Sequence, residues 1–271
     1  MTTPAPAPPS PAGKRGTSGE HGGFETHLIP TEHLPGFVAE RKAAYVNTMF
    51  DTIAPRYDLM NRLMTFGMDR RWRNYVVAEA APPTGGSALD VATGTGDIAI
   101  ALARRVGAAG SVIASDFSEG MMRPGPAKAE RAGVGAIVRF MAADALDLPF
   151  PDATFDCVTM GFAMRNVTDI ERAFREMCRV TKPGGRVVCL EVAKPGVPPV
   201  RFLHQCYFNR IVPLLGKIIT GYGEAYRYLP ESARNFPPPS ALKTIMERAD
   251  LRAVRFRRMS LGAVAVHTGT K

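Results

Sequence analysis

Asp90-Val-Ala-Thr93-Gly94-Thr95-Gly96-Asp97 packs two carboxylates, two hydroxyls and two glycines into eight residues, between an apolar run and a helical pattern. Glycines at such a turn let backbone approach a ligand with no Cβ in the way. Amides at the start of the following helix can face a polar or anionic group. The spacing Gly94-x-Gly96-x-x-Ala99 fits a dinucleotide fingerprint and also an ordinary strand-to-helix turn. The carboxylates separate the ligand classes. A pyrophosphate is repelled by Asp90 and Asp97, whereas the sulfonium and ammonium of S-adenosyl-L-methionine are stabilised by them. Asp116, twenty residues after Gly96, suits ribose hydroxyls in either class. Asp144, followed by Ala145, suits the adenine amino group or an exposed loop.

The elements that must hold these groups alternate. Apolar runs Ala88–Ala92, Ser111–Ser115, Ala136–Ala142, Cys157–Gly161 and Arg186–Val192 read as strands. Helical stretches at Ile98–Val106, Glu119–Ala132 and Ile170–Thr181 lie between them. That alternation predicts a parallel sheet covered on both faces. Val254–Met259 and Ala263–His267 flank a turn at Gly262 and must be antiparallel to each other. Before the sheet, residues 36–80 form a helical cap whose apolar positions recur at three and four, broken at Pro55 and Gly67. Residues 195–239, rich in aromatics and prolines, read as a substrate-side insertion. Residues 1–35 read as a disordered Pro-rich tail. The expectation is one domain over 36–271.

The series from Asp90 to Asp97, then Asp116, Asp144-Ala145, Leu148-Pro-Phe-Pro-Asp152 and the turn Lys182-Pro-Gly-Gly185, resembles class I methyltransferases. That resemblance implies an α/β, Rossmann-like, seven-stranded, mostly parallel sheet with an antiparallel last strand, and S-adenosyl-L-methionine as cofactor. Three further stretches narrow it: Arg56-Tyr57-Asp58 through Arg73, Phe162-Ala-Met-Arg165-Asn166-Val-Thr-Asp169, and Tyr226-Arg-Tyr228-Leu-Pro-Glu231-Ser232. Together they are similar to the UbiE/MenG family of quinone-biosynthesis C-methyltransferases. The resemblance implies methylation of a polyprenylated quinol: demethylmenaquinol to menaquinol, or alternatively 2-polyprenyl-6-methoxy-1,4-benzoquinol on the ubiquinone branch. Gly161 stands where ubiquinone-branch members commonly carry Ser, which favours the menaquinone branch. Asp90, Thr93, Gly94, Thr95, Gly96, Asp116, Asp144 and Ala145 are the expected cofactor-binding positions. Arg165 and Asn166 are the catalytic candidates, and Tyr57, Asp58, Tyr226 and Tyr228 are candidates to meet the quinol or to anchor cap and lid. A guanidinium does not give up its proton in proteins. Arg165 therefore stabilises a quinolate or orients a water. His204 is a packing residue or the base. Methyl transfer is by in-line displacement, aided by loss of a quinol hydroxyl proton.

Composition bounds the partners. The 271 residues carry a net charge of +9, spread without a nucleic-acid-binding motif, so attraction to anionic lipid headgroups fits better than a nucleic acid. No apolar run approaches the roughly 20 residues of a bilayer span, and no secretory h-region opens the chain. The expected location is the cytoplasm or the inner face of the membrane. Cys157, Cys178, Cys189 and Cys206 lack zinc or redox spacing, so no metal and no disulfide is expected. Two other readings remain open: a nicotinamide-dependent oxidoreductase, which Asp97 and the Lys182–Gly185 turn oppose, and a cofactor-binding scaffold without activity.

Overall fold

The computed structural model describes residues 48–220 and 223–271. The tail expected over 1–35 and the first part of the cap lie outside them.

Seven strands form one sheet: β1 (Ser87–Val91), β2 (Ser111–Asp116), β3 (Val138–Ala142), β4 (Phe155–Gly161), β5 (Thr181–Val192), β6 (Arg252–Met259) and β7 (Val264–Thr270). Their order is β3-β2-β1-β4-β5-β7-β6. All pairings are parallel except those of β7, which runs antiparallel to both β5 and β6. Consecutive side chains of each strand point to opposite faces, so each layer of the core takes alternate residues. Ala88 and Leu190 pack with Trp72, Val76 and Leu102 on one side. Leu89, Val158 and Met160 pack with Phe174, Met177, Leu242 and Met246 on the other. After β1 the chain turns to β2 on one flank and later places β4 on the other. This switch opens a crevice at the carboxyl ends of the strands.

The helices carry the local signals that fix them. Around the crevice stand α1 (Tyr57–Met64), α2 (Asp69–Ala80) and α3 (Asp97–Val106). A 3-10 turn at Ala54–Arg56, containing Pro55, precedes α1, and Gly67 at φ 74° separates it from α2. The helix expected over Glu119–Ala132 is two, α4 (Glu119–Met122) and α5 (Gly125–Arg131). Pro124 lies between them, and its ring and missing N–H stop a continuous helix. The Ser118 hydroxyl caps α4 by accepting from the Met121 N–H. Likewise Asp169 accepts from the Arg172 N–H to start α6 (Ile170–Val180). The turn expected before the fifth strand lies within it. β5 pairs from Thr181 onward, and Lys182–Gly185 bulges out between the pairs Phe155↔Thr181 and Cys157↔Arg186. The insertion is helical: α7 (Pro198–Cys206), a π-turn at Tyr207–Ile211, α8 (Val212–Thr220) and α9 (Gly223–Asn235), before α10 (Pro239–Arg248) covers the sheet. All four cysteines are free, three of them buried.

Candidate active site

The glycine turn between β1 and α3 is built as its residue types require. Gly94 and Gly96 have φ of 57° and 85°, and a Cβ on Gly96 would stand 2.8 Å from the Phe140 ring. Beneath the turn, Asp90 is fully enclosed. Its carboxylate accepts from the Thr159 hydroxyl at 2.6 Å and the Thr93 hydroxyl at 2.6 Å. Burial lifts its carboxyl from the ordinary 3.8 to about 6, although both hydroxyls pull the other way. At the end of β2, Asp116 accepts from the Gly94 N–H at 2.7 Å and the Ser118 N–H at 2.9 Å. Burial raises its carboxyl too, against those backbone bonds. Asp144 lies farther out, in an exposed turn where it accepts from the Leu146 N–H, and Ala145 beside it is partly buried against the core.

Two acidic side chains are engaged by the protein itself: Asp97 contrary to the expectation of a carboxylate free for the donor, and Asp58 in the cap-anchoring role that was one of its two expected roles. Asp97 does not offer a free carboxylate to a cation. It pairs with Arg73 at 2.6 Å and Lys128 at 2.7 Å. Burial works to raise its carboxyl, but these two cations hold it below the usual range. Asp58 is in the wall of neither cavity described below. It accepts from the Thr95 hydroxyl at 2.6 Å and pairs with Lys128 at 2.5 Å. Asp58, Thr95, Lys128, Asp97 and Arg73 thus form one chain of contacts that ties α1 and α2 to α3 and α5 over the glycine turn.

Two cavities meet there. The smaller, about 40 Å³ and mostly polar, is lined by Asp90, Thr93, Gly94, Thr95, Asp97 and Gly161. Its residues fit S-adenosylmethionine: glycines that leave room for a ligand, an enclosed carboxylate for positive charge, and Asp116 close by for ribose hydroxyls. The larger, about 410 Å³, is overwhelmingly apolar and lies among α1, α2, the insertion and the β6–β7 turn. Tyr57, Arg73 and Phe162 line both. Gly161 packs against Ile98, whose Cδ1 lies 2.5 Å from where a Cβ would stand. The isoleucine fills the place a serine side chain would need.

Arg165 sits on the 3-10 turn Met164–Asn166 after β4 and lines the large cavity. Its guanidinium pairs with Glu191 at 2.8 Å and also donates to the Phe162 carbonyl. Its backbone N–H reaches the second oxygen of Glu191 at 3.2 Å. Glu191, on β5 and 1% exposed, was missed by the sequence reading. The signal was a single acid in the apolar, almost wholly buried run 187–192, which demands a partner. Among the described residues, buried Nε of Arg165, the Tyr226 hydroxyl and Nε2 of His204 have no hydrogen-bond partner. All three residues belong to the wall of the large cavity. Burial raises the Tyr226 phenol and lowers the His204 imidazole, which stacks on Phe208 with ring centres 4.4 Å apart. The Tyr228 hydroxyl donates to the Asn166 side chain at 3.2 Å, so the insertion closes onto the Arg165 turn.

A parallel sheet with one reversed strand, and a glycine turn backed by acids at successive strand ends, define a class I methyltransferase. A S-adenosylmethionine-dependent methyltransferase from Thermotoga maritima, described as a possible histamine N-methyltransferase, shares the fold at a TM-score of 0.58 and 18% identity, covering 83% of this chain and 99% of that one. Residues 38–271 match the ubiE/COQ5 methyltransferase family, and the chain belongs to it. A demethylmenaquinone methyltransferase of Roseiflexus castenholzii is 52% identical over 86% of this chain and 95% of its own length. A ubiquinone/menaquinone biosynthesis C-methyltransferase UbiE of an Enterobacter species is 41% identical over 85% of this chain and 92% of its own.

Proposed function

We propose that this enzyme methylates the ring carbon of demethylmenaquinol to give menaquinol, with S-adenosylmethionine as donor. The observation that carries the proposal is the pair of adjacent cavities, a small polar one at the glycine turn and a large apolar one, with Tyr57, Arg73 and Phe162 in the walls of both. The names of relatives at 52% and 50% identity support the menaquinone substrate. So does Gly161 with Ile98 packed on it, where the ubiquinone branch commonly has serine.

Asp90, Thr93, Gly94, Thr95, Gly96 and Asp116 hold the donor, with Asp144 and Ala145 at its adenine end. Bound there, S-adenosylmethionine supplies an electrophilic methyl group on a good leaving group. The protein's own work is to orient the ring, keep water out and manage one proton. Cap and insertion side chains enclose the ring in apolar surface, and Phe162 and Tyr57 set its approach to the donor. A quinol is a better carbon nucleophile once its hydroxyl proton leaves. Arg165, held by Glu191 and by the Phe162 carbonyl, stabilises the negative oxygen through its fixed positive charge. One water held beside the guanidinium, with bulk water excluded, takes the hydroxyl proton; after transfer the methylated ring carbon gives up its hydrogen as a proton and the quinol oxygen is reprotonated, so one proton leaves in all. Asn166 and Tyr228 fasten the insertion over this turn. The quinol's prenyl chain supports a working position at the inner face of the cell membrane.

The test uses labelled S-adenosylmethionine and a short-chain demethylmenaquinol, with donor binding measured separately by calorimetry. Arg165→Ala is expected to lower turnover by about 10²–10³-fold, the usual cost of one donor to a developing oxyanion, while donor affinity holds. Absence of quinol methylation by the unaltered protein, or full turnover by Arg165→Ala, would overturn the corresponding part.

A further inference from the structure

Two turns at the mouth of the large cavity share an unusual construction. Phe66 has φ 52° and is followed by Gly67 at φ 74°, and Leu261 has φ 56° and is followed by Gly262 at φ 94°. A left-handed backbone is disfavoured for a residue with a Cβ and rarer still for bulky ones. Both side chains are large and apolar, and both stand in solvent, 77% and 78% exposed. Neither the strain nor the exposure gains anything in water.

The two tips belong to one surface. Phe66 packs its ring on Tyr207 of the insertion at 5.9 Å, and the Tyr207 hydroxyl donates to the Met64 carbonyl. The turn with Leu261 is fastened to α2 through Ser260, which accepts from the Trp72 indole N–H at 2.9 Å and donates to the Met68 sulfur. Phe66 and Leu261 both line the cavity, so they stand at its entrance and not beside it. Further exposed apolar side chains, Leu203, Leu214 and Ile218 among them, continue along the insertion.

Charge selects the occupant. Over 59–71, 193–219 and 255–263 the sole carboxylate side chain is Asp69, which is buried and bonded to Thr65 and Arg73. The same stretches carry Arg62, Arg70, Arg71, Arg210, Lys217 and Arg258, all exposed. Apolar tips flanked by stretches that carry exposed cations and no exposed carboxylate match an anionic lipid surface, where apolar burial and headgroup attraction act together.

We propose that Phe66 and Leu261 are twin insertion tips. They seat the cavity mouth on an anionic bilayer, so that a lipid-borne quinol passes from membrane to cavity without crossing water. The inference rests on the quinol reading above and adds the face, the residues and the lipid chemistry.

The full-length protein is sedimented with vesicles of phosphatidylcholine alone and of phosphatidylcholine mixed with phosphatidylglycerol. Binding is expected to the mixed vesicles, to weaken with added salt, and to be slight on the neutral ones. Phe66→Asn and Leu261→Asn keep a residue type that tolerates positive φ while removing the apolar group. Each is expected to lower vesicle partition by at least about tenfold, since a buried aromatic or leucine side chain contributes more than that. Retained S-adenosylmethionine binding by calorimetry shows that the variants are folded. No binding of the wild type to mixed vesicles, equal binding by the variants, or a self-association lost in the variants without any vesicle binding each overturns the proposal. Methylation of a short-chain quinol in vesicle-free buffer is measured in parallel. If it proceeds without vesicle binding, docking fails alone. If vesicles bind but no quinol is methylated, the substrate reading fails alone.

Discussion

Asp90 and Glu191 are both buried acids on strands, and they answer to different forces. Asp90 has two hydroxyls and the Ala99 backbone as partners but no cation, so burial keeps its carboxyl near 6. A folded-state value above the unfolded 3.8 means that the fold binds this proton more tightly than the open chain does. The fold therefore gains stability as pH falls from above 6 toward 3.8 and loses that gain as pH rises back through 6. Donor binding should run the opposite way, because a cationic ligand prefers the ionised form. Calorimetry is expected to show affinity level above pH 7 and declining below about 6, by up to about tenfold per pH unit. Asp90→Asn should flatten that dependence, weaken binding, and raise the unfolding temperature at pH 8 by removing a buried charge. Glu191 has a cation instead. Glu191→Leu strands Arg165 and should cost about 3–5 kcal/mol, the usual penalty for breaking a buried pair. Arg165→Met combined with Glu191→Leu should restore most stability in thermal melts but no methyl transfer, separating support from chemistry. Asp90 and Asp116 were legible from their spacing to Gly94 and Gly96. The Arg165–Glu191 pair was not, because its partners lie 26 residues apart and on neighbouring elements that only the sheet register brings together.

At the scale of elements, strands and helices were readable because period and punctuation agree. Ala88–Ala92, Ser111–Ser115 and Cys157–Gly161 fall on β1, β2 and β4 with ends shifted by a residue or two. The one helix expected over Glu119–Ala132 ignored Pro124, and its division matters. It turns α5 so that Lys128 reaches Asp58, Thr95 and Asp97. This chain of contacts was invisible in the sequence, since it joins four helices through charges that each look like solvated surface. It also changes the reading of Asp97, whose charge is spent on Arg73 and Lys128. Lys128→Met should loosen α1 over the glycine turn. The expected loss of global stability is small, about 1 kcal/mol or less for a partly exposed pair. Amide exchange in 57–64 should nonetheless quicken, and donor should dissociate several-fold faster in stopped-flow. Gly96→Ala is the harsher change. Its φ of 85° and the Phe140 ring 2.8 Å from the new Cβ leave no relaxed position. We expect it to cost about 1–3 kcal/mol of backbone strain and to abolish measurable donor binding.

For the whole molecule, the division of labour lies across the crevice: the sheet's carboxyl ends supply the polar cavity, and the cap, insertion and β6–β7 turn supply the apolar one. The apolar cavity is finite, about 410 Å³, which is toward the small end of typical ligand pockets. It has room for a bicyclic ring and the beginning of a prenyl chain, and its wall ends at Phe66 and Leu261, where apolar surface passes to the outside. Binding energy from the tail should therefore saturate. Each buried methylene contributes about 0.8 kcal/mol, so a first isoprene unit that buries two or more such carbons should raise kcat/KM by about tenfold or more over the bare ring. Units beyond the mouth find only water in a vesicle-free assay and should add little. On anionic vesicles the same long-chain quinols should regain activity, because the tail then stays in lipid while the ring enters. Steady-state kinetics over a series of demethylmenaquinols of increasing chain length, with and without vesicles, measures both halves. A kcat/KM that kept climbing with every unit in plain buffer would mean that the tail lies along the outside of the insertion, in a groove continuous with α8, and not in the cavity.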